Sequence, residues 1–220
     1  MIPVSLTTER IELADGGTAY PYPWRGETVA VMDNAESVLR VVDLLFDDEK
    51  PEADKAAEAI PLVFADPDAA YTACDYDDAE FGRLVESVVW DIFGVDLAGR
   101  ASDKPLWDVE EDAAAIRTSL RMAYGIEWDT LRSRIPWGEF VALVSGLPYD
   151  TPLGCAMHYR DERNRPKQGK HNRKQVEEFD RLHRLFALKG KPKTKGSHGN
   201  VETANRAMDD LALAAMRKAR

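Results

Sequence analysis

The sequence from residue 77 to residue 94 reads DDAEFGRLVESVVWDIFG and has the clearest helical pattern in the chain. Asp77 is a good N-cap with Glu80 three residues later, and Gly94 is typical of the residue that ends a helix. Between them the apolar residues recur every three or four positions, as they do on one face of a helix, at Phe81, Leu84, Val85, Val88, Val89 and Ile92. The pattern predicts an amphipathic helix that buries this face against other elements.

Patterns of the same kind lie on both sides of this stretch. Apolar residues recur at helical spacing over 38–46, 56–63, 116–123, 137–144 and 176–186. Asp108, with Glu111 three residues on, predicts the start of the helix that Gly125 ends. Pro136 predicts the first turn of the helix that ends near Gly146. The fold class predicted from these patterns is mainly α.

Residues 1–24 differ from the rest because they read as a short β-hairpin. Residues 10–13 alternate polar and apolar side chains, and Asp15-Gly16-Gly17 favours a tight turn. Residues 18–20 then form the second strand. Pro21 and Pro23 predict its end, because proline has no N–H to donate to a strand ladder.

The C-terminal part of the sequence predicts a linker followed by one more helix. Residues 189–200 read KGKPKTKGSHGN, a basic composition typical of a flexible linker. Residues 201–220 place apolar side chains in one narrow seam, made of Val201, Ala204, Met208, Leu211 and Ala215. The predicted organisation is therefore an acidic helical domain over 1–188, a basic linker over 189–200 and an amphipathic helix over 201–220.

The charge of the chain is unevenly distributed. Residues 1–160 carry a net charge of −18 and residues 161–220 a net charge of +8. An acidic body repels phosphates, so nucleic acid is not an expected partner, and only the basic tail would attract an anionic one. Contact of this tail with the protein's own acidic body is the favoured interpretation. The absence of an 18-residue apolar run and of a signal-peptide pattern predicts no membrane segment and a cytoplasmic location.

Side chains that would support catalysis are sparse. Cys155 and His158 share the spacing of two ligands on a helix turn, whereas a zinc site needs three or four. The acidic clusters fall where helices begin or end, and those at predicted helix starts are explained by capping and by the helix dipole. The sequence therefore predicts no catalytic residue, no cofactor and no metal site. Trp107, Trp128 and Trp137 fit a packed core, with a groove for an apolar partner helix as the alternative.

Residues 106–147 read LWDVEEDAAAIRTSLRMAYGIEWDTLRSRIPWGEFVALVSGL and contain a series of short motifs. Further motifs are Leu44-Leu45-Phe46-Asp47-Asp48 upstream and Asp150-Thr151 and Tyr159-Arg160 downstream. Their order resembles a phage protein family catalogued as gene product fifteen, over about residues 1–188. The motifs in the central stretch are Asp112-Ala113, Tyr124-Gly125-Ile126-Glu127, Trp137-Gly138-Glu139-Phe140 and Gly146-Leu147.

The resemblance implies a non-enzymatic tail assembly chaperone of a tailed bacteriophage such as a siphovirus. Such a protein binds the long apolar tape measure protein in the host cytoplasm, keeps it soluble, recruits tail tube subunits and is absent from the virion. We expect several copies to act together. Candidate partner-binding residues are Trp137 and Phe140 in the domain and Met208 and Leu211 in the last helix. That helix has three candidate docking sites: a neighbouring copy, the client and its own domain.

Other classes of function remain as alternatives. The first is a tail completion or connector protein of the virion. The second, less favoured, is a small metal-dependent enzyme built around Cys155 and His158. The third is a nucleic-acid-binding regulator, which rests only on the basic tail.

Overall fold

The computed structural model describes residues 8–45, 47, 49–94, 105–169 and 171–189. The predicted C-terminal helix, with Met208 and Leu211, and all of the predicted linker except Lys189 lie outside these residues. The described residues group into two compact units. Unit 1 comprises 8–94 and 132–141, and unit 2 comprises 105–131 and 142–189.

Unit 1 begins with the predicted hairpin. Strand β1 (Ile11–Glu12) pairs antiparallel with strand β2 (Thr18–Trp24). The turn between them is closed by a hydrogen bond of 3.0 Å from Gly16 N to Leu13 O, and Gly16 adopts a φ of 80°. That left-handed conformation is one that glycine reaches without a steric penalty.

The hairpin is part of a three-stranded sheet, because β2 continues through both prolines and pairs with strand β3 (Glu27–Val31). The prediction that Pro21 and Pro23 end the strand is therefore wrong. Successive backbone nitrogens of a strand point to alternate edges. Those of Tyr20 and Tyr22 point toward β3, so the nitrogens of Pro21 and Pro23, which carry no hydrogen, lie on the edge away from it. A two-residue turn joins β2 and β3, with Arg25 and Gly26 both at positive φ, which suits the twist of a hairpin.

The helices of unit 1 follow the sheet. They are α1 (Ala35–Leu45), α2 (Glu52–Val63), α3 (Pro67–Thr72) and α4 (Asp78–Val88). Helix α4 confirms the pattern of residues 77–94: Asp77 caps it by accepting a hydrogen bond from Glu80 N, and a π-helical turn over Val89–Phe93 leads to Gly94 in the left-handed conformation. Its core includes the fully buried side chains of Val31, Val38, Phe64, Leu84, Val88 and Phe93.

The remaining helices are α5 (Ala113–Tyr124), α6 (Trp128–Leu131), α7 (Trp137–Ser145), α8 (Pro152–Arg160) and α9 (Arg173–Phe186). The first five residues of α7 belong to unit 1 and the last four to unit 2. Within unit 2, α8 packs against both α5 and α9. The core there is built from Ile116, Leu120, Val144, Leu147, Leu153, Val176 and Phe179.

The start of α5 differs from the prediction. Asp108 accepts hydrogen bonds from the backbone N–H groups of Glu110 and Glu111, so it stabilises a separate turn, and α5 begins at Ala113. The mainly helical fold with strands near the N-terminus is confirmed for the described part of the chain. No helix in that part is long and apolar enough to cross a bilayer.

Candidate partner-binding groove

Trp137 and Phe140, the two predicted partner-binding residues within the described chain, lie in the core. Their exposed fractions are 6% and 1%, and their ring centroids are 5.2 Å apart. The indole Nε1 of Trp137 donates a hydrogen bond of 2.8 Å to the carbonyl of Phe93, which satisfies its one polar group. In this structure both residues pack the interior. Their contact with a partner stays a prediction, and they present almost no surface for it.

Unit 2 contains an open groove of about 580 Å³ that sequence reasoning did not identify. It lies between the segment that precedes α5, the end of α7 and the outer side of α8. We call it the aromatic groove. Its walls are mainly aromatic and aliphatic, and Asp161 and Asn164 stand at its rim. The principal lining side chains are Leu106, Trp107, Leu147, Tyr149, Met157 and His158.

Aromatic rings form one wall of this groove. The hydroxyl groups of Tyr149 and Tyr159 are 3.0 Å apart, and the ring of His158 meets Tyr149 edge-on at a centroid distance of 4.9 Å. Two effects raise the pKa of Tyr149 to about 12: the larger is the hydrogen bond to Tyr159 and the smaller is desolvation. Tyr149 is 53% exposed and remains neutral at physiological pH. It therefore presents a large ring and a neutral hydroxyl at the surface, a combination common at protein interfaces.

A buried ion pair holds one of the segments that line the groove. Arg160 binds both carboxylate oxygens of Asp112, at 2.6 and 2.9 Å, and the two side chains are only 10% and 8% exposed. The same guanidinium donates to the carbonyls of Leu106, at 2.9 Å, and Phe186, at 2.6 Å. Four of its N–H donors are used, and three chain segments are joined to the end of α8. Leu106 is thereby held in position as part of the groove wall.

The floor of the groove depends on a close approach of backbone to α8. Thr151 caps this helix by accepting a hydrogen bond from Gly154 N at 3.2 Å. A Cβ atom on Gly154 would lie 2.0 Å from the carbonyl oxygen of Pro148, so only glycine allows the 148–151 turn to pack here. The hydroxyl of Ser119 accepts from Leu153 N at 3.0 Å and ties α8 to α5.

The chemistry of the groove suits binding. His158 is in ring contact with Tyr149 and Tyr159, and Cys155 is half-buried. Among the described residues, no three His, Cys, Asp or Glu side chains group as metal ligands.

Thr151-Pro152 is the one sequence signal that predicts the start of α8 and hence the location of Met157 and His158.

A second surface of unit 2 lies on the outer side of α5. We call it the α5 face, and it is a shallow groove of about 300 Å³. Ala114, Thr118 and Met122 form its row along α5, and Met122 is 60% exposed. Ile126 and Trp128 line its far side. Arg117 and Arg121 also line it, and they form ion pairs with Asp129 and Glu127, respectively.

Comparison with known families matches residues 23–188 to the sequence model of a family described as Bacteriophage Gp15 protein. That match covers three quarters of the chain. The chain belongs to the bacteriophage Gp15 family. This Gp15-family protein is accordingly a structural or assembly protein of a bacteriophage. No curated protein and no solved structure gave a significant match.

The sequence motifs behind the resemblance have structural roles in this Gp15-family protein. Asp112-Ala113 and Tyr159-Arg160 meet in the buried ion pair, 48 residues apart in sequence. Gly125 ends α5 with a φ of 67°. The two aromatic residues of the 137–140 motif pack the core. The part of the 44–48 motif formed by Phe46 and Asp48 lies outside the described residues.

Proposed function

We propose that this Gp15-family protein is a tail assembly chaperone, and that its aromatic groove binds apolar helical segments of the tape measure protein. The observation that carries the proposal is an open groove with aromatic and aliphatic walls on a protein of a phage assembly family. A concave site whose walls are largely apolar and which carries a few polar groups is the usual form of a binding site.

The lining of the groove suits a client whose apolar sequence varies along its length. The unbranched thioether of Met157 adapts to irregular shapes, and Trp107 and Tyr149 offer wide ring surfaces. The rim residues Asp161 and Asn164 provide polar partners beside the apolar walls. Such a site recognises amphipathic helices by shape and hydrophobicity more than by sequence.

The groove is small, so a single copy binds its client weakly. Burial of two leucine-sized side chains contributes roughly 3–6 kcal/mol before the cost of association, which corresponds to weak affinity. A long client with many apolar segments compensates by engaging several copies at once. We therefore propose that several copies coat one tape measure chain in the host cytoplasm, stay out of the finished virion and recruit tail tube subunits. The role is one of binding, without catalysis.

Co-expression tests this proposal. The tape measure protein is produced alone and together with the full chain, and its soluble fraction is measured by quantitative immunoblot. A large rise in the soluble fraction and co-purification of the two proteins are expected. An equally insoluble tape measure protein in both cultures contradicts the chaperone function.

Mass spectrometry of purified virions separates the chaperone from a tail completion or connector protein. A chaperone is depleted from virions relative to infected-cell lysate. A virion component is present in a fixed number of copies per particle, and that result would replace the chaperone proposal.

A further inference from the structure

The aromatic groove carries one carboxylate in its lining. Among the described residues that line it, Asp161 is the only Asp, Glu, Lys or Arg. The side chain of Asp161 is only 17% exposed, and it shares the groove with the half-exposed ring of Tyr149. A carboxylate beside aromatic rings suits an organic cation, because the carboxylate oxygens and the faces of the rings both have a negative electrostatic potential.

The last turn of α8 places this carboxylate in line with the groove wall. The backbone N–H of Asp161 donates a hydrogen bond of 3.0 Å to Met157 O, so the helical turn extends to residue 161. Met157, His158 and Asp161 therefore lie on one side of the helix, at spacings of four and three residues. The C-terminal end of a helix has a partial negative charge, and the carboxylate of Asp161 adds a full one there. This end of the groove favours a positively charged group.

The ion pair between Asp161 and Arg163 leaves the carboxylate able to bind a second cation. Oδ1 of Asp161 accepts hydrogen bonds from the backbone N and from Nε of Arg163, both at 2.9 Å, and Oδ2 accepts from Nε at 3.1 Å. A carboxylate offers about four acceptor positions, so these three hydrogen bonds do not saturate it. The side chain of Arg163 is 83% exposed, and water screens its attraction to Asp161. The same hydrogen bonds lower the pKa of Asp161 from its usual value, so the carboxylate is ionised at neutral pH.

We propose that the aromatic groove selects apolar helices that carry one lysine or arginine among their apolar side chains, and that Asp161 binds this basic group. The inference rests on the proposed function and names the class of client segment that the groove prefers. The aliphatic stem of the basic side chain packs against Met157 and Tyr149, and its charged end reaches the carboxylate at the rim.

This preference would also determine where copies bind along a long client. A groove that binds by hydrophobicity alone accepts any apolar stretch and prefers one without charges. A groove with a carboxylate prefers the points at which a basic residue interrupts an apolar stretch. The two mechanisms therefore predict opposite effects of a single positive charge on the client.

Two helical peptides that differ at one position test the inference. One has lysine and the other has norleucine at the centre of the same apolar face. Norleucine has the aliphatic chain of lysine without the ammonium group, so hydrophobic binding favours the norleucine peptide and cation binding favours the lysine peptide. Fluorescence anisotropy of the labelled peptides, titrated with the full chain, gives the two Kd values. We expect the lysine peptide to bind about fivefold more tightly to the wild type.

Asp161→Asn and Asp150→Asn form a matched pair of variants. Each removes one carboxylate, and Asp150 is an exposed residue next to Tyr149 that lies outside the described lining of the groove. Asparagine at position 161 keeps an oxygen that can accept from the backbone N–H of Arg163, so the local turn is preserved. We expect Asp161→Asn to lose the preference for lysine and Asp150→Asn to keep it.

The location of the bound peptide is followed by ¹⁹F NMR of protein labelled with 5-fluorotryptophan. Trp107 lines the groove, whereas Trp24 belongs to unit 1. The resonance of Trp107, assigned through Trp107→Phe, should move when the lysine peptide binds, and that of Trp24 should stay in place. Movement of the Trp24 resonance alone would place the peptide elsewhere and contradict the inference.

Three binding results would also overturn the inference. They are a wild type that binds the norleucine peptide as tightly as the lysine peptide, an Asp161→Asn variant that keeps the lysine preference, and a wild type that binds neither peptide. The co-expression experiment judges the chaperone function separately: a tape measure protein that the full chain solubilises supports that function even when the groove ignores charge. A lysine preference that Asp161→Asn abolishes supports cation binding by the groove even when the tape measure protein stays insoluble.

Discussion

Replacing Asp112 by alanine is the most informative perturbation of unit 2. In the native protein, both oxygens of Asp112 accept hydrogen bonds from Arg160, and Oδ2 also accepts from the backbone N–H of Asp108 at 2.9 Å. Asp112→Ala leaves the guanidinium of Arg160, with 10% of its side chain exposed, without its counter-charge. The two carbonyl contacts of Arg160 remain but do not neutralise it.

The expected loss of stability follows from this burial. Removing one partner of a buried ion pair costs about 3–5 kcal/mol, and we expect about 3 because slight exposure of both groups lets water relax around the remaining charge. With a urea m-value of about 1.5 kcal/mol/M, the midpoint of unit 2 unfolding falls by about 2 M. Arg160→Lys should also destabilise unit 2, because a single ammonium cannot replace a guanidinium that contacts three segments.

The assay must follow unit 2 separately, because a chain with two compact units need not unfold in one step. Trp107 and Trp128 belong to unit 2, whereas Trp24 belongs to unit 1. Urea titrations of 5-fluorotryptophan-labelled protein resolve these residues by ¹⁹F NMR. We expect the midpoints reported by Trp107 and Trp128 to fall and that of Trp24 to change less.

Asp180→Ala is the matched control, since it removes the partner of Arg165 from an exposed ion pair with distances of 2.7 and 2.8 Å. Solvent screening should make its effect small. If Asp112→Ala shifts the unit 2 midpoint no further than Asp180→Ala does, the reasoning about the buried pair is wrong.

Three further perturbations test other parts of the account. Gly154→Ala should destabilise unit 2 by about 1–3 kcal/mol, because its Cβ would lie 2.0 Å from Pro148 O; an unchanged urea midpoint would contradict the proposed backbone packing. Burial and the hydrogen bond to Asp91 raise the pKa of Tyr22 from 10.0 to about 12. In the native protein, the stabilisation that comes from the Tyr22 hydroxyl is therefore fully present below pH 10 and declines between pH 10 and 12. The loss of stability caused by Tyr22→Phe, measured by denaturation at each pH, should shrink over the same interval; a loss independent of pH would exclude this linkage. Asp75 has a φ of 55°, so Asp75→Gly should raise stability by about 0.5–1 kcal/mol, whereas Asp75→Ala should not; equal midpoints for the two variants would count against backbone strain at this position.

The helical framework was predictable because its signals are local. In α4 the N-cap, the apolar spacing and Gly94 all lie within 18 residues, and the structure matches them. Strand β3 was missed because a five-residue strand is recognisable only with its partner β2. Helix α8 was missed because its residues, PLGCAMHYR, show little amphipathic pattern, although Thr151-Pro152 marks its start.

The groove was not predictable from sequence, because its walls come from residues that are far apart along the chain. Trp107, Tyr149 and Met157 come together through the Asp112–Arg160 pair and the close approach of Gly154 to Pro148. Trp137 and Phe140 show the converse difficulty. Aromatic residues at helical spacing fit a core and a binding surface equally well, and only the fold places these two in the core.

The central claim is that the aromatic groove holds the tape measure protein, and the most direct test compares Met157→Glu with Met122→Glu. Both variants make the same change, the first in the aromatic groove and the second on the α5 face. Each is co-expressed with the tape measure protein, its fold is checked by circular dichroism, and the co-purified client is quantified by mass spectrometry. We expect Met157→Glu to reduce the bound client at least tenfold and Met122→Glu to retain it. Full client binding by a folded Met157→Glu variant would contradict the claim.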